Sequence, residues 1–419
     1  MDLFSKIAVV ITLAALCNYL NARFLKLPTT IGVMIMSLLL ALTVLGVGAV
    51  WPEFGDTFSG AARQFMEQVD FSDVLLKGML GFMLFAGAMH VEFNDLNERK
   101  WEIGIFSLLS TLASAFLVGF GVWGLAGVMG FDLQLIHCLL FGALISPTDP
   151  ISVLAIMKKA GAPKPLETTV AGESLFNDGV GVVIFLSLLG IATGEHQLSA
   201  GYVAELFLRE AVGAVLYGAA LGYVGYRLLK SVDDLHAELM ITVALVAGGY
   251  ALADAIGVSA PIAMVVTGLM VGNEGLRLGI KAASRRNLEI FWELVDGLLN
   301  ALLFVMIGLE VLVLTLEGRY LLAGAAAVPI VLLARLLSVG GPLLVLRAHR
   351  TYAHRTLGIL TWGGLRGGIS VAMALALPDG TPHRMMFLTM TYFVVAFAVI
   401  VQGLTIKGVV RRSLAGVSR

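Results

Sequence analysis

Two short stretches carry carboxylates where an inert sequence would carry leucine. Residues 173–178 read ESLFND within an otherwise apolar run, and residues 146–150 read SPTDP, adding Thr148 and Asp149 between two prolines. Two arginines, Arg335 in VLLARLLSVGG and Arg366 in GGLRGGIS, are likewise set in apolar or glycine-rich surroundings. A charge at the centre of a bilayer costs at least about 2.5–3.5 kcal/mol on insertion scales, so each of these groups is a functional candidate. The donors near Asp178 are all oxygens, which suits a hard cation or a proton; no His or Cys joins them to make a transition-metal site.

Helix phase separates the tasks of the two acids in ESLFND. At about 100° per residue, Glu173 and Asn177 share one stripe and Ser174 and Asp178 another, with the carboxylates roughly 140° apart. One ion is therefore not easily shared between them. Glu173 is expected to form an ion pair with Arg335, with Asn177 as an added hydrogen-bond partner, as a structural brace. Asp178 and Ser174 are expected to face Thr148 and Asp149 and to hold a hard cation. The same two aspartates allow a different reading, the proton-sharing dyad of an intramembrane aspartyl protease. A cation channel is a third.

The elements that must position these residues are membrane helices. Of the 419 residues 58% are hydrophobic and 14% charged, against about 25% charged in a soluble domain, and the mean hydropathy is +0.91. A net charge of −1, spread along the chain, gives no footprint for nucleic acid. A span takes roughly 20 apolar residues. Thirteen candidates lie near 4–24, 29–50, 71–91, 101–128, 133–157, 166–192, 200–228, 237–256, 258–272, 289–314, 320–346, 353–377 and 385–407, the eighth and ninth meeting at Gly257. With the N-terminus outside, 20 of the 28 Lys and Arg fall on the cytoplasmic side, four on the other side and four within spans, as the positive-inside rule requires. The C-terminus is then cytoplasmic. Residues 51–70 are expected to form an interfacial helix, and no soluble domain is expected anywhere in 1–419. Cys17 and Cys138 are expected to be packing residues. His137 is expected to hydrogen-bond locally, and His90, His196, His236, His349, His354 and His383 to be solvated at span ends.

Two spans are interrupted. The fifth reads FGALISPTDPISVLAIM and the twelfth GILTWGGLRGGISVAMALAL, each with a break followed by Ile-Ser-Val. Broken helices at matching positions of two halves mark transporters whose repeats are inverted in the membrane. Spans one to six (about 4–192) and eight to thirteen (about 237–407) are the expected repeats, with span seven (about 200–228) as linker. At the first break Pro147 and Pro150 remove amide donors and free carbonyls such as that of Thr148. At the second, Gly363, Gly364, Gly367 and Gly368 loosen the helix around Arg366, whose charge is expected to offset the C-terminal end of its own first half-helix. Glu293, Asp296 and Glu310 are candidates to line a funnel and receive no assigned role.

These motifs, together with GVSAPIAMVVTGLMVGN (257–273), LLFVMIGL (302–309) and GESLFNDGVGVV (172–183), resemble the monovalent cation/proton antiporters of the electroneutral NhaP and NHE branch. The resemblance covers the whole membrane region in order. It implies an all-α polytopic protein of about 13 transmembrane helices in two inverted repeats, with two crossing broken helices, in the NhaA/NHE-like fold. It also implies a dimerisation domain and a core domain in a homodimer that works by an elevator movement in the cell membrane. Asp178 would bind the cation or proton, Thr148, Asp149 and Ser174 would help coordinate it, and Glu173 would pair with Arg335. Electrogenic relatives have a second Asp where Asn177 stands. Some archaeal relatives place an acidic ligand midway along the third span; GFMLFAGAMHVEF has none before Glu92.

Charge counting at one carboxylate gives the mechanism. Asp178 is neutral with either a proton or a monovalent cation bound and charged when empty, and the empty form pays several kcal/mol to cross a low-dielectric barrier. Because Asn177 does not titrate, one proton is exchanged for one cation and no net current flows. Na+ is the expected cation, with Li+ also accepted; K+/H+ exchange is the alternative. No cofactor is expected.

Overall fold

A computed structural model describes residues 3–51, 60, 71–149, 151–194, 201, 205–206, 208–273, 282–312, 317–347 and 356–414. Nine helices among them are long and apolar enough to cross a membrane: α1 (Phe4–Leu25), α2 (Thr29–Gly48), α4 (Lys100–Met129), α6 (Lys164–Ala192), α7 (Leu208–Ser231), α8 (Leu235–Ile256), α10 (Arg285–Glu310), α11 (Gly318–Leu346) and α13 (Arg384–Ser413). The other four predicted spans are shorter or interrupted. These are α3 (Val74–Met89), α9 (Ala260–Asn273), the pair α5a (Leu135–Ile145) and α5b (Ile151–Ala160), and the pair α12a (Thr356–Trp362) and α12b (Gly368–Leu375).

Local chemistry sets the ends of these helices. Gly130 and Gly257 both adopt φ +70°, the left-handed conformation that terminates α4 and α8. Asp234 caps α8 by accepting a hydrogen bond from the Ala237 amide at 2.8 Å. The predicted junction at Gly257 is thus a helix stop. Most of 51–70, with its expected interfacial helix, lies outside the described residues, as do Pro150, His196, His349 and His354.

The helices pack in two groups. α4, α5, α6, α11, α12 and α13 pack on one another, while α1 to α3 and α8 to α10 form the second group, with α7 lying against α8 and α9. Small residues allow the close crossings. On α7, Gly218 lies against Ala263 and Val266, and Gly222 against Met270, all on α9. Large apolar side chains such as Phe120 and Trp123 on α4 and Leu333 and Leu337 on α11 remain exposed, which fits a surface solvated by lipid. Cys17 and Cys138 are buried and unlinked.

Candidate ion-binding site

The two breaks meet at the centre of the first group. The Asp149 amide donates to the Leu365 carbonyl at 2.8 Å, an isolated antiparallel bridge between the interruptions of α5 and α12. The contact needs glycine beside it: a β-carbon on Gly367 would lie 2.8 Å from that of Asp149. Interrupted backbone at this depth is tolerated because protein buries it and supplies its partners.

Both arginines serve carbonyls at helix ends. Arg366, fully buried, donates through Nη1 to the carbonyls of Ser146 and Pro147 at the C-terminal end of α5a, the latter at 2.9 Å. The expectation that it offsets the end of its own half-helix is therefore corrected. That end belongs to Arg335, whose Nη2 donates to the Leu360 carbonyl of α12a at 3.3 Å. The crossing lays the break of α12 across the end of α5a, where the dipole is negative, while α11 supplies the arginine for the end of α12a.

The side chains of α6 divide as helix phase requires, with one correction. Glu173 and Arg335 form the predicted pair, Oε1 to Nη1 at 2.5 Å, both buried. Asn177 does not join them. Its Nδ2 donates to Thr148 Oγ1 at 2.8 Å, and its Oδ1 accepts from the Thr148 amide at 3.2 Å. The break leaves Thr148 needing both an acceptor and a donor, and an amide side chain supplies both. Ser174 Oγ and Thr148 Oγ1 are 2.9 Å apart and hydrogen-bonded.

Asp178 and Asp149 line one cavity of 60 Å³, together with Thr148, Asn300 and Ser370. Leu80, Met83 and Leu84 of α3 and Leu303 of α10 are among the apolar residues of its wall. The contribution of the third span is thus apolar, as its sequence indicated. Thr148, Asp149 and Asp178 come together as expected, while Ser174 approaches through Thr148.

Two wall residues escaped the sequence reading. Ser370 is buried, and its hydroxyl has no partner among the described residues. Its signal was present, since it belongs to the Ile-Ser-Val triplet that revealed the second break. Asn300 donates to the carbonyl and to Oδ1 of Asp296, at 2.9 and 3.1 Å, tying that unassigned acid to the cavity wall. His137 Nδ1 is buried without a partner among the described residues, contrary to the expected local bond. His90 Nδ1 lies 2.7 Å from the Ala86 carbonyl.

A helical membrane protein with a carboxylate pocket between two crossed, interrupted helices has the build of a secondary transporter. The profile described as Sodium/hydrogen exchanger, transmembrane, matches residues 9–412, and the chain belongs to that family. It is similar to the Na(+)/H(+) antiporter NhaP of Pseudomonas aeruginosa, 46% identical over 415 residues, which are 98% of this chain and 97% of the relative. It is also similar to the Na(+)/H(+) antiporter NhaH of Halobacillus aidingensis, 34% identical over 398 residues and 93% of each chain. The structure of the sodium proton antiporter MjNhaP1 from Methanocaldococcus jannaschii at pH 8 has the same fold, with a TM-score of 0.78 over 99% of this chain and 100% of that one at 19% identity. The chain is a transporter, and the protease reading of Asp149 and Asp178 falls.

Proposed function

We propose that the protein exchanges Na+ for H+, one for one, with Asp178 as the carboxylate for which the two ions compete. The observation that carries this reading is the placement of Asp178 on a cavity shared with Thr148, Asp149 and Ser370, in a chain whose relatives are named Na(+)/H(+) antiporters. Those names favour Na+ over the K+ alternative. Li+ differs from Na+ mainly in size and is accepted by the same oxygens.

Each ligand has a distinct role. Asp178 supplies the charge that a proton or cation neutralises, and Asp149 raises the negative potential of the pocket. Thr148 and Ser370 offer neutral oxygens, and Ser174 and Asn177 hold Thr148 in place. Asn177 carries no titrating proton, so the cycle moves one charge each way. Glu173 and Arg335 neutralise each other outside the ion pocket, and Arg366 holds the two breaks in register.

The two packing groups support a core domain of α4 to α6 and α11 to α13 moving against a second domain in an elevator-like homodimer. The matched breaks support inverted repeats over about 4–192 and 237–407, with span seven between them. Bonds join ends that the charge partition puts on one side. Arg319 donates to the Met129 carbonyl at 2.6 Å, and Lys164 pairs with Asp95 at 3.5 Å. They agree with thirteen crossings of the cell membrane, and the Lys and Arg partition supports the N-terminus outside and the C-terminus cytoplasmic.

The test is the purified protein in proteoliposomes, with an internal pH dye and a voltage dye read together against Na+, Li+ and K+ gradients. Proton movement driven by Na+ without voltage change is expected; sustained current would overturn the one-for-one reading.

A further inference from the structure

The two core arginines also line a second cavity, which shares no wall residue with the Asp178 pocket. Its volume is 10 Å³, the lower end of what one water-sized guest requires. α11 contributes Arg335, the break of α12 contributes Thr361, Gly364 and Arg366, and α13 contributes Gln402.

The polar groups of this wall are mostly donors without acceptors. Arg335 Nε, Arg366 Nε, Arg366 Nη2 and Thr361 Oγ1 are buried and have no hydrogen-bond partner among the described residues. Gln402 uses its own amide nitrogen on the Trp362 carbonyl at 3.0 Å. Glycine at 364 keeps one donor uncovered, because a β-carbon there would lie 2.5 Å from Arg335 Nε. Buried donors left unmade are destabilising, charged ones most of all.

Charge points the same way. A guanidinium does not lose its proton in a protein, so two positive charges line this cavity, of which Arg335 is paired with Glu173. The half-helix ends that the arginines touch offset only part of the excess. A water molecule would accept two of the free donors and bring two more. An anion accepts them all.

We propose that this cavity binds a monatomic monovalent anion of chloride size, held between Arg335 and Arg366 with the Thr361 hydroxyl as a third donor. The anion joins α11, α12 and α13 on the side of the crossing that the transported cation does not use. The inference does not depend on the exchange reading, because it is tested by scattering and stability rather than by transport.

The full-length protein is crystallised from bromide, and bromide is located by its anomalous signal. In parallel, thermal unfolding is followed at constant Na+ and ionic strength while gluconate is replaced by chloride. A bromide peak between Arg335 and Arg366 is expected, with a melting temperature that rises saturably with chloride. Thr361→Val, which keeps the shape and removes one donor, is expected to weaken the chloride midpoint about threefold to tenfold. A cavity without bromide, whether empty or holding water, overturns the proposal, as does the same melting temperature in chloride and gluconate.

Discussion

Arg366 closes the end of a helix to which it does not belong: its Nη1 donates to the carbonyl of Pro147, 219 residues away in sequence, at 2.9 Å. A second bond from the same nitrogen to Ser146 makes the contact a clamp on the last turn of α5a. Charge-assisted bonds of this kind contribute about 1.5–3 kcal/mol each. Arg366→Gln is expected to lower stability by at least that amount and to abolish exchange. Arg366→Lys keeps the charge without the planar fork and should fall between. Thermal unfolding and proteoliposome exchange on the same preparations check the order.

Asp178→Asn is expected to abolish exchange with little change in melting temperature, because the amide fills the same space but cannot alternate between charged and neutral forms. Competition at this carboxylate also sets a pH signature in the wild type. As pH falls, protons occupy Asp178 more of the time, so the KM for Na+ rises while the rate at saturating Na+ changes much less. Initial rates across pH and Na+ concentration distinguish this from a separate proton site, which would leave KM unchanged.

Ser370→Ala removes the cavity hydroxyl that lacks a partner among the described residues. A fold-neutral rise in the KM for Na+ is expected, of about threefold to tenfold for one hydrogen-bond-sized interaction. Unchanged Na+ dependence would show that the hydroxyl serves packing alone.

Asn177→Leu leaves the Thr148 amide without its side-chain partner and is expected to destabilise the fold by about 1–3 kcal/mol. Thr148→Val should cost less, because the Asn177 bond to the backbone amide survives it. Chemical denaturation of the two variants gives the comparison.

Arg335→Ala strands Glu173 and is expected to cost about 3–5 kcal/mol. Adding Glu173→Gln should recover only part of that loss, because Arg335 also serves the Leu360 carbonyl. A double mutant whose loss equals the sum of the single losses would mean that the pair is not coupled.

Much of this site was legible because charge is rare in the chain. In a chain only 14% charged, an acid and an arginine inside apolar helices select one another, and Glu173 with Arg335 follows from that scarcity. The glycines and prolines likewise marked both interruptions. Partners across the crossing were not legible, since helix phase gives the direction of a side chain on its own axis and says nothing about which distant backbone lies there. Asn177 shares a stripe with Glu173, yet its partner is Thr148, whose buried amide and hydroxyl, freed by the break, match an amide better than a satisfied ion pair does. Ser370 went unread because a serine near a break has many local uses.

The bridge from Asp149 to Leu365, with Gly367 fitted against the aspartate, fastens two interruptions that a simpler channel would leave independent. Neither can swing alone without tearing a buried bond. Facing this clasp, α3 and α10 present Leu80, Met83, Leu84 and Leu303, while Asn300 satisfies itself on its own helix. The opposing wall is a greasy bearing with few bonds to release, so under the proposed elevator movement the clasped pair would glide across it as one piece and carry its cargo without loosening its grip.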